Sequence, residues 1–232
     1  MRVFLRANTI LSSNTYILSK ENMEEVYIID PGDSAPNLDW LHTNKKTLVG
    51  IFLTHAHFDH IYGLNDLLGA FSNCKLYVSS LMINGLFSIK LNTSLYHEKP
   101  YVLKKCYSKN IVIIEGGYGQ KLWNEESVYI ISTPGHTNDC VSINISNYLF
   151  SGDALIPGIK VYSRKRMSDY NAISASLELI YSKFPSTTIL LPGHGKDILL
   201  GKSKSLQGFC KIESKRDFIE IQKQFHEQFV AY

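Results

Sequence analysis

Short apolar and β-branched runs bounded by turn-forming residues predict strands over 14–18, 25–30, 48–54, 75–78, 111–114, 128–133, 141–145, 148–151 and 187–191. Helical spacing appears in two places between them. Residues 61–68 form one segment, and in 172–184 the residues Ile173, Leu177, Ile180 and Phe184 fall four, three and four apart, with Ser168 or Asp169 as the N-cap. A third stripe, Phe218, Ile221, Phe225 and Phe229, predicts a C-terminal amphipathic helix over about 214–229 that docks on the body of the protein. Residues 79–110 hold many apolar side chains without a firm period. They are read as a helix followed by a long excursion, the kind of segment that covers a binding site. Strands alternating with helices predict an α/β sandwich, sheets inside and helices outside, in one domain spanning 1–232.

Composition narrows the function classes. With 232 residues, 44% hydrophobic and 12% aromatic, the chain can bury a core without disulfide or metal staples. Cys74, Cys106, Cys140 and Cys210 are scattered with no CxxC pair, so they read as reduced thiols. A net charge of +3 is too small to predict a nucleic-acid partner. No apolar run reaches the roughly 18 residues of a membrane span, and residues 1–11 alternate rather than form a signal sequence, so a cytoplasmic location is expected.

The chemistry lies where the strands end. Four β-type runs each stop at a metal-ligand type beside small or turn residues: Ile51-Phe-Leu-Thr-His55, Ile130-Ile-Ser-Thr-Pro-Gly-His136, Tyr148-Leu-Phe-Ser-Gly-Asp153 and Ile189-Leu-Leu-Pro-Gly-His194. Residues at one edge of neighbouring strands converge, and glycine at a strand end permits the turn that aims the next side chain over that edge. The densest group is His55-Ala-His57-Phe-Asp59-His60. Seven imidazole and carboxylate groups exceed what one tetrahedral ion can use, which points to two ions a few ångströms apart bridged by Asp153. Five of the eight histidines belong to this set, and His42, His97 and His226 stay outside it.

The HxHxDH group, followed in order by a later His, an Asp and a final His, resembles the metallo-β-lactamase superfamily. Asn14-Thr-Tyr-Ile-Leu18 and Ile28-Ile-Asp-Pro-Gly32 are similar to its early strand and first sheet turn. The resemblance implies a four-layer αββα sandwich. It also implies that His55, His57 and His136 hold one metal, Asp59, His60 and His194 the other, and that Asp153 touches both. Asp30 is structural in that family and is left out of the site.

The expected activity is that of a metal-dependent hydrolase using hydroxide bound between two Zn2+ ions, with Fe or Mn as alternatives, and with Asp59 orienting the nucleophile. A small-molecule thioester, ester or lactone is the expected substrate, and the oligomeric state is left open. Within the superfamily the chain looks closest to glyoxalase II-like hydroxyacylglutathione hydrolases, in which a Lys-x-Tyr follows the bridging aspartate, as Lys160-Val-Tyr162 does here. Fewer than forty residues follow His194, and the glutathione-binding C-terminal helices of that branch are not evident. Lys160, Tyr162 and Arg164 of the basic run 163–166 are the candidate substrate-binding residues. Rival readings on the same scaffold are a mononuclear iron persulfide dioxygenase, a phosphodiesterase or nuclease, and a non-catalytic metal-binding scaffold.

Overall fold

Several strands are apolar on both faces because both faces are covered, a pattern that alternation alone does not produce. In β8 (Glu126–Ser132), Val128 and Ile130 enter the central core while Ile131 and Tyr129 pack on the opposite side. In β10 (Tyr148–Gly152), Phe150 faces inward and Leu149 outward; in β12 (Ile189–Pro192), Leu191 faces inward and Leu190 outward.

The computed structural model describes residues 1–117, 119–158, 161–163, 170–203 and 209–211. Lys160, Arg164, the proposed caps Ser168 and Asp169, and the predicted 214–229 helix lie outside the described residues.

The remaining strands are β1 (Arg2–Ala7), β2 (Asn14–Ser19), β3 (Glu25–Ile29), β4 (Thr47–Phe52), β5 (Lys75–Val78), β6 (Ile111–Ile113), β7 (Gly119–Leu122), β9 (Val141–Ile145), β11 (Val161–Ser163), β13 (Ile198–Leu199) and β14 (Phe209–Lys211). One six-stranded sheet runs in the order β1-β2-β3-β4-β5-β6 and a second in the order β13-β12-β10-β9-β8-β7. A separate parallel pair, β11 with β14, sets Tyr162 opposite Cys210. Between the large sheets, Ile28, Phe52, Ile130, Ile143 and Phe150 form the central core. Helix α1 (Ala35–Thr43) contributes Leu41 to it, and α3 (Leu64–Ala70) contributes Leu64, Leu67 and Leu68. On the second sheet, Ile173, Leu177 and Ile180 of α5 (Tyr170–Lys183) pack with Leu149, Leu190 and Leu200. These are the layers of the expected αββα sandwich. Among the described residues no helix is long and apolar enough to cross a membrane.

One reading needs correction, and two segments gain detail. The segment 61–68 is not one helix: α2 (Phe58–Ile61) ends before Gly63, and α3 begins at Leu64. At the break the chain packs closely against the turn after β3. The Gly63 N–H donates to the Pro31 carbonyl at 2.9 Å, and a Cβ there would lie 2.9 Å from that same oxygen. Asp59 and His60 therefore sit inside a one-turn helix. Helix α1 has no counterpart in the prediction. The 79–110 segment has α4 (Ile83–Leu86) and three 3-10 turns, at Ser80–Met82, Ser94–Tyr96 and Lys105–Asn110. It does not float free: the Phe58 N–H donates to the Asn92 carbonyl at 2.9 Å, and the His97 ring packs 5.1 Å from that of Phe58.

Candidate metal centre

Strand β8 is antiparallel to β9, and β9 to β10, while β10 and β12 are parallel. β8, β10 and β12 therefore point the same way, and their C-terminal ends deliver His136, Asp153 and His194 to one edge. From the other sheet β4 ends at Phe52 and leads through Leu53 and Thr54 into His55, His57 and α2. The Val141 N–H donates to the Thr54 carbonyl at 2.8 Å, which ties the two sheets together at this edge.

All seven residues singled out in the sequence meet there. His55, His57 and His136 offer ligand atoms within 4.8 Å of one another, as do Asp59, His60 and His194. Asp153 reaches both groups: its Oδ2 lies 3.4 Å from His136 Nε2 and 3.5 Å from His194 Nε2, and its Oδ1 lies 3.6 Å from His60 Nε2. His136 Nε2 stands 3.0 Å from His57 Nδ1. Two ring nitrogens at that distance need a shared proton or a shared cation.

Several atoms of the cluster have no hydrogen-bond partner in the protein. His55 Nε2, His57 Nε2, His60 Nε2 and Asp153 Oδ1 are buried without one, while His57 turns its other nitrogen, Nδ1, to His136. Each such group costs about 1–3 kcal/mol if left unsatisfied, so this concentration fits a site built for cations. Five imidazoles and two carboxylates suit zinc, with iron and manganese also compatible.

Electrostatics divide the histidines. Burial, reinforced by His60, pushes His55 well below the usual imidazole range, and burial with His136 pushes His57 down to about 3. Burial works against charge on His60 as well, but Asp59, Asp153 and Asp30 outweigh it and lift the group to about 9. His194 rises to about 10 because Asp153 and Asp59 overcome the same burial penalty. Burial alone would raise Asp153, yet His194 and His60 hold it well below the carboxylate range.

Asp30 stands behind this cluster. Its Oδ1 accepts from the Thr54 N–H at 2.8 Å, and its Oδ2 accepts from Thr54 Oγ1 at 2.5 Å and from His60 Nδ1 at 3.1 Å. Although the carboxylate lies within reach of His55 and His60, both oxygens are already engaged. Asp30 is a support that directs His60 Nε2 inward, in the manner of the carboxylates that orient metal-binding histidines. It adopts a left-handed backbone, φ 51°. Asp139 also closes against the site, and sequence spacing gave no hint of it, because its partners are a backbone N–H and a threonine hydroxyl.

A third support is a clasp. Asn14 Nδ2 donates to the carbonyls of Pro192 at 2.9 Å and Gly195 at 2.8 Å, and the Tyr16 hydroxyl donates to Pro192 at 2.6 Å. It fixes the loop that carries His194. Of the candidate substrate residues, Tyr162 lies in the backbone of β11.

Comparison with known proteins agrees with this architecture. The metallo-beta-lactamase superfamily model matches residues 8–194. A hydroxyacylglutathione hydrolase of Shewanella baltica is 29% identical over 143 residues, covering 62% of this chain and 47% of that protein. The chain spans about half the length of the first curated relatives it matches. A probable metallo-hydrolase of Streptococcus pyogenes is 26% identical over 214 residues, 90% of each chain. Among solved structures, TTHA1623 in a di-iron-bound form is 26% identical with a TM-score of 0.76, covering 90% of this chain and 100% of the other. With its sandwich architecture, its ligand-bearing strand ends and a family match over most of its length, the chain belongs to the metallo-beta-lactamase superfamily.

Proposed function

We propose that the chain is a hydrolase with a binuclear metal centre, in which His55, His57 and His136 hold one ion, Asp59, His60 and His194 the other, and Asp153 lies between them. The observation that carries this reading is the pair of ligand triads on either side of Asp153, with buried lone pairs that the protein leaves unspent. Zinc is the favoured ion for this donor set, and iron or manganese the alternatives. Bound ions supply Lewis acidity and lower the pKa of a shared water from about 15.7 towards 7.

The protein's own groups do the positioning. Asp153 reaches both triads and faces ligand nitrogens of each. Asp59 Oδ2 sits 3.4 Å from His60 Nε2 and 3.5 Å from His194 Nε2, which leaves its other oxygen to orient a nucleophilic water. Asp30 holds the His60 ring by its far nitrogen. A small-molecule thioester is the favoured substrate, with esters and lactones next; the match to hydroxyacylglutathione hydrolases supports this. Lys160, Tyr162 and Arg164 follow Asp153 closely in the chain and are assigned to substrate binding.

The test couples elemental analysis of purified protein to a screen of thioester, lactone and phosphodiester hydrolysis. About two zinc ions per chain with thioester or lactone turnover is the expected result. Replacing Asp153→Ala should abolish both turnover and metal retention, and full activity in that variant refutes the bridged assignment. One iron per chain with oxygen consumption would instead establish the dioxygenase reading, against which the second triad, Asp59, His60 and His194, argues.

A further inference from the structure

We propose that Asp139 is a positioning residue for the first metal triad, clamping the His136 loop to the His55-Ala56-His57 segment and setting that triad's affinity separately from that of the second. The inference rests on the binuclear reading above.

The two segments come from different sheets and are 79 residues apart at His57 and His136. Besides Asp153, a second carboxylate spans them. Asp139 Oδ2 accepts from the Ala56 N–H at 3.2 Å, and Ala56 is the residue between His55 and His57. Asp139 Oδ1 accepts from the hydroxyl of Thr137, the residue after His136. Because the Thr137 hydroxyl donates to Asp139, its oxygen is free to accept from the Cys140 thiol, 3.0 Å away. The chain of bonds therefore runs from Cys140 through Thr137 and Asp139 to the backbone at Ala56. Asp139 is 8% exposed, so these bonds have little competition from water. The loop is closed by backbone bonds as well, Gly135 N–H to the Thr137 carbonyl at 2.9 Å and Thr133 N–H to the Cys140 carbonyl at 2.9 Å.

None of these contacts reaches the second triad. Asp59, His60 and His194 are held instead by Asp30 and by the Asn14 clasp. Asp139 therefore bears on the first triad alone, and its loss should loosen that triad only. Partners of this kind change metal affinity about 10–100-fold.

The test is competition of the whole protein with a chromophoric zinc chelator, read as two dissociation constants. In Asp139→Ala one constant should rise about 10–100-fold, with the other within about twofold of wild type. Asp139→Asn keeps one acceptor and should fall between. Thr137→Val, which leaves the Asp139 to Ala56 bond intact, should weaken the same constant less than Asp139→Ala and remains informative if the alanine variant does not fold. Added to His136→Ala, which removes the first site, Asp139→Ala should change the remaining constant no further. Two unchanged constants in Asp139→Ala and Thr137→Val overturn the proposal while leaving the binuclear reading intact, and so does an equal loss at both sites. Wild-type protein that binds no zinc overturns both.

Discussion

Replacing Asp30 by asparagine changes one atom and should disable half of the centre. Asn tolerates the left-handed backbone at this position, so the exchange adds no backbone strain. The Thr54 backbone N–H cannot turn away, which keeps the amide oxygen in the place of Oδ1. The amide nitrogen then takes the place of Oδ2, facing Thr54 Oγ1 and His60 Nδ1. A hydroxyl can rotate to accept, but His60 can accept only by moving its proton to Nε2, the atom aimed at the second triad. To bind metal the ring must take its proton back and set two donors against each other, at about 1–3 kcal/mol. At 1.4 kcal/mol per tenfold, zinc affinity of the second triad should fall by roughly 5–150-fold. Exchanging a charged acceptor for a neutral one should also cost about 1–2 kcal/mol of stability, or about 2–4 °C of Tm per kcal/mol at this chain length. Chelator competition read as two constants, together with thermal unfolding of the metal-free protein, checks both figures. Asp30→Asn protein that keeps its second zinc within about twofold of wild type would refute the tautomer argument.

Gly193→Ala should displace the bridging position of the centre. An added Cβ would lie 2.1 Å from Asp153 Oδ1 and 2.9 Å from His60 Cε1, so the bridging carboxylate must move. Turnover should drop at least about 100-fold, with zinc content below half and a stability loss of about 1–3 kcal/mol; near-normal turnover would contradict the close fit. The metal-free protein should be most stable near pH 6.5. Folded-state values raised to about 9 for His60 and about 10 for His194 give stability that is complete below the unfolded value of 6.5 and lost as pH rises through 9 and 10. His57, lowered to about 3, gives the opposite slope, since the unfolded chain binds its proton first as pH falls from 6.5. Thermal melts across pH 5–10 after chelation check this, and a flat profile would count against it. Because zinc must displace protons from His60 and His194, its affinity should climb with pH until those groups are neutral.

The site was legible because His136, Asp153 and His194 each follow an apolar strand beside a glycine, and His55, His57, Asp59 and His60 crowd together after another strand, local patterns that need no knowledge of the fold. Its supports were not legible. Asp30 and Asp139 act through backbone N–H groups and single hydroxyls, and those partners leave no spacing in the sequence. Most strands could be read because burial on both faces makes them continuous apolar runs, as in β12. Helix α1 could not, since it buries only Asn37 and Leu41, too few for a stripe. β1 alternates weakly, with Phe4 and Leu5 exposed, and offers little contrast between its faces. The break at Gly63 depends on the Pro31 carbonyl, a contact that exists only once β3 and α2 have met.

The Asn14 clasp also sets an order of events during synthesis. Its bond to Pro192 joins residues 178 apart, and its bond to Gly195 joins residues 181 apart. A ribosome delivering about 5–20 residues per second has long since released β2 before the loop carrying His194 emerges. Until then Asn14 lacks its Pro192 and Gly195 acceptors and the second triad lacks a member. His55, His57 and His136 are all available earlier, so a nascent chain can gather the first triad before the second exists. The last ligand in the sequence is thereby latched to one of the first strands, and closing that latch completes the centre.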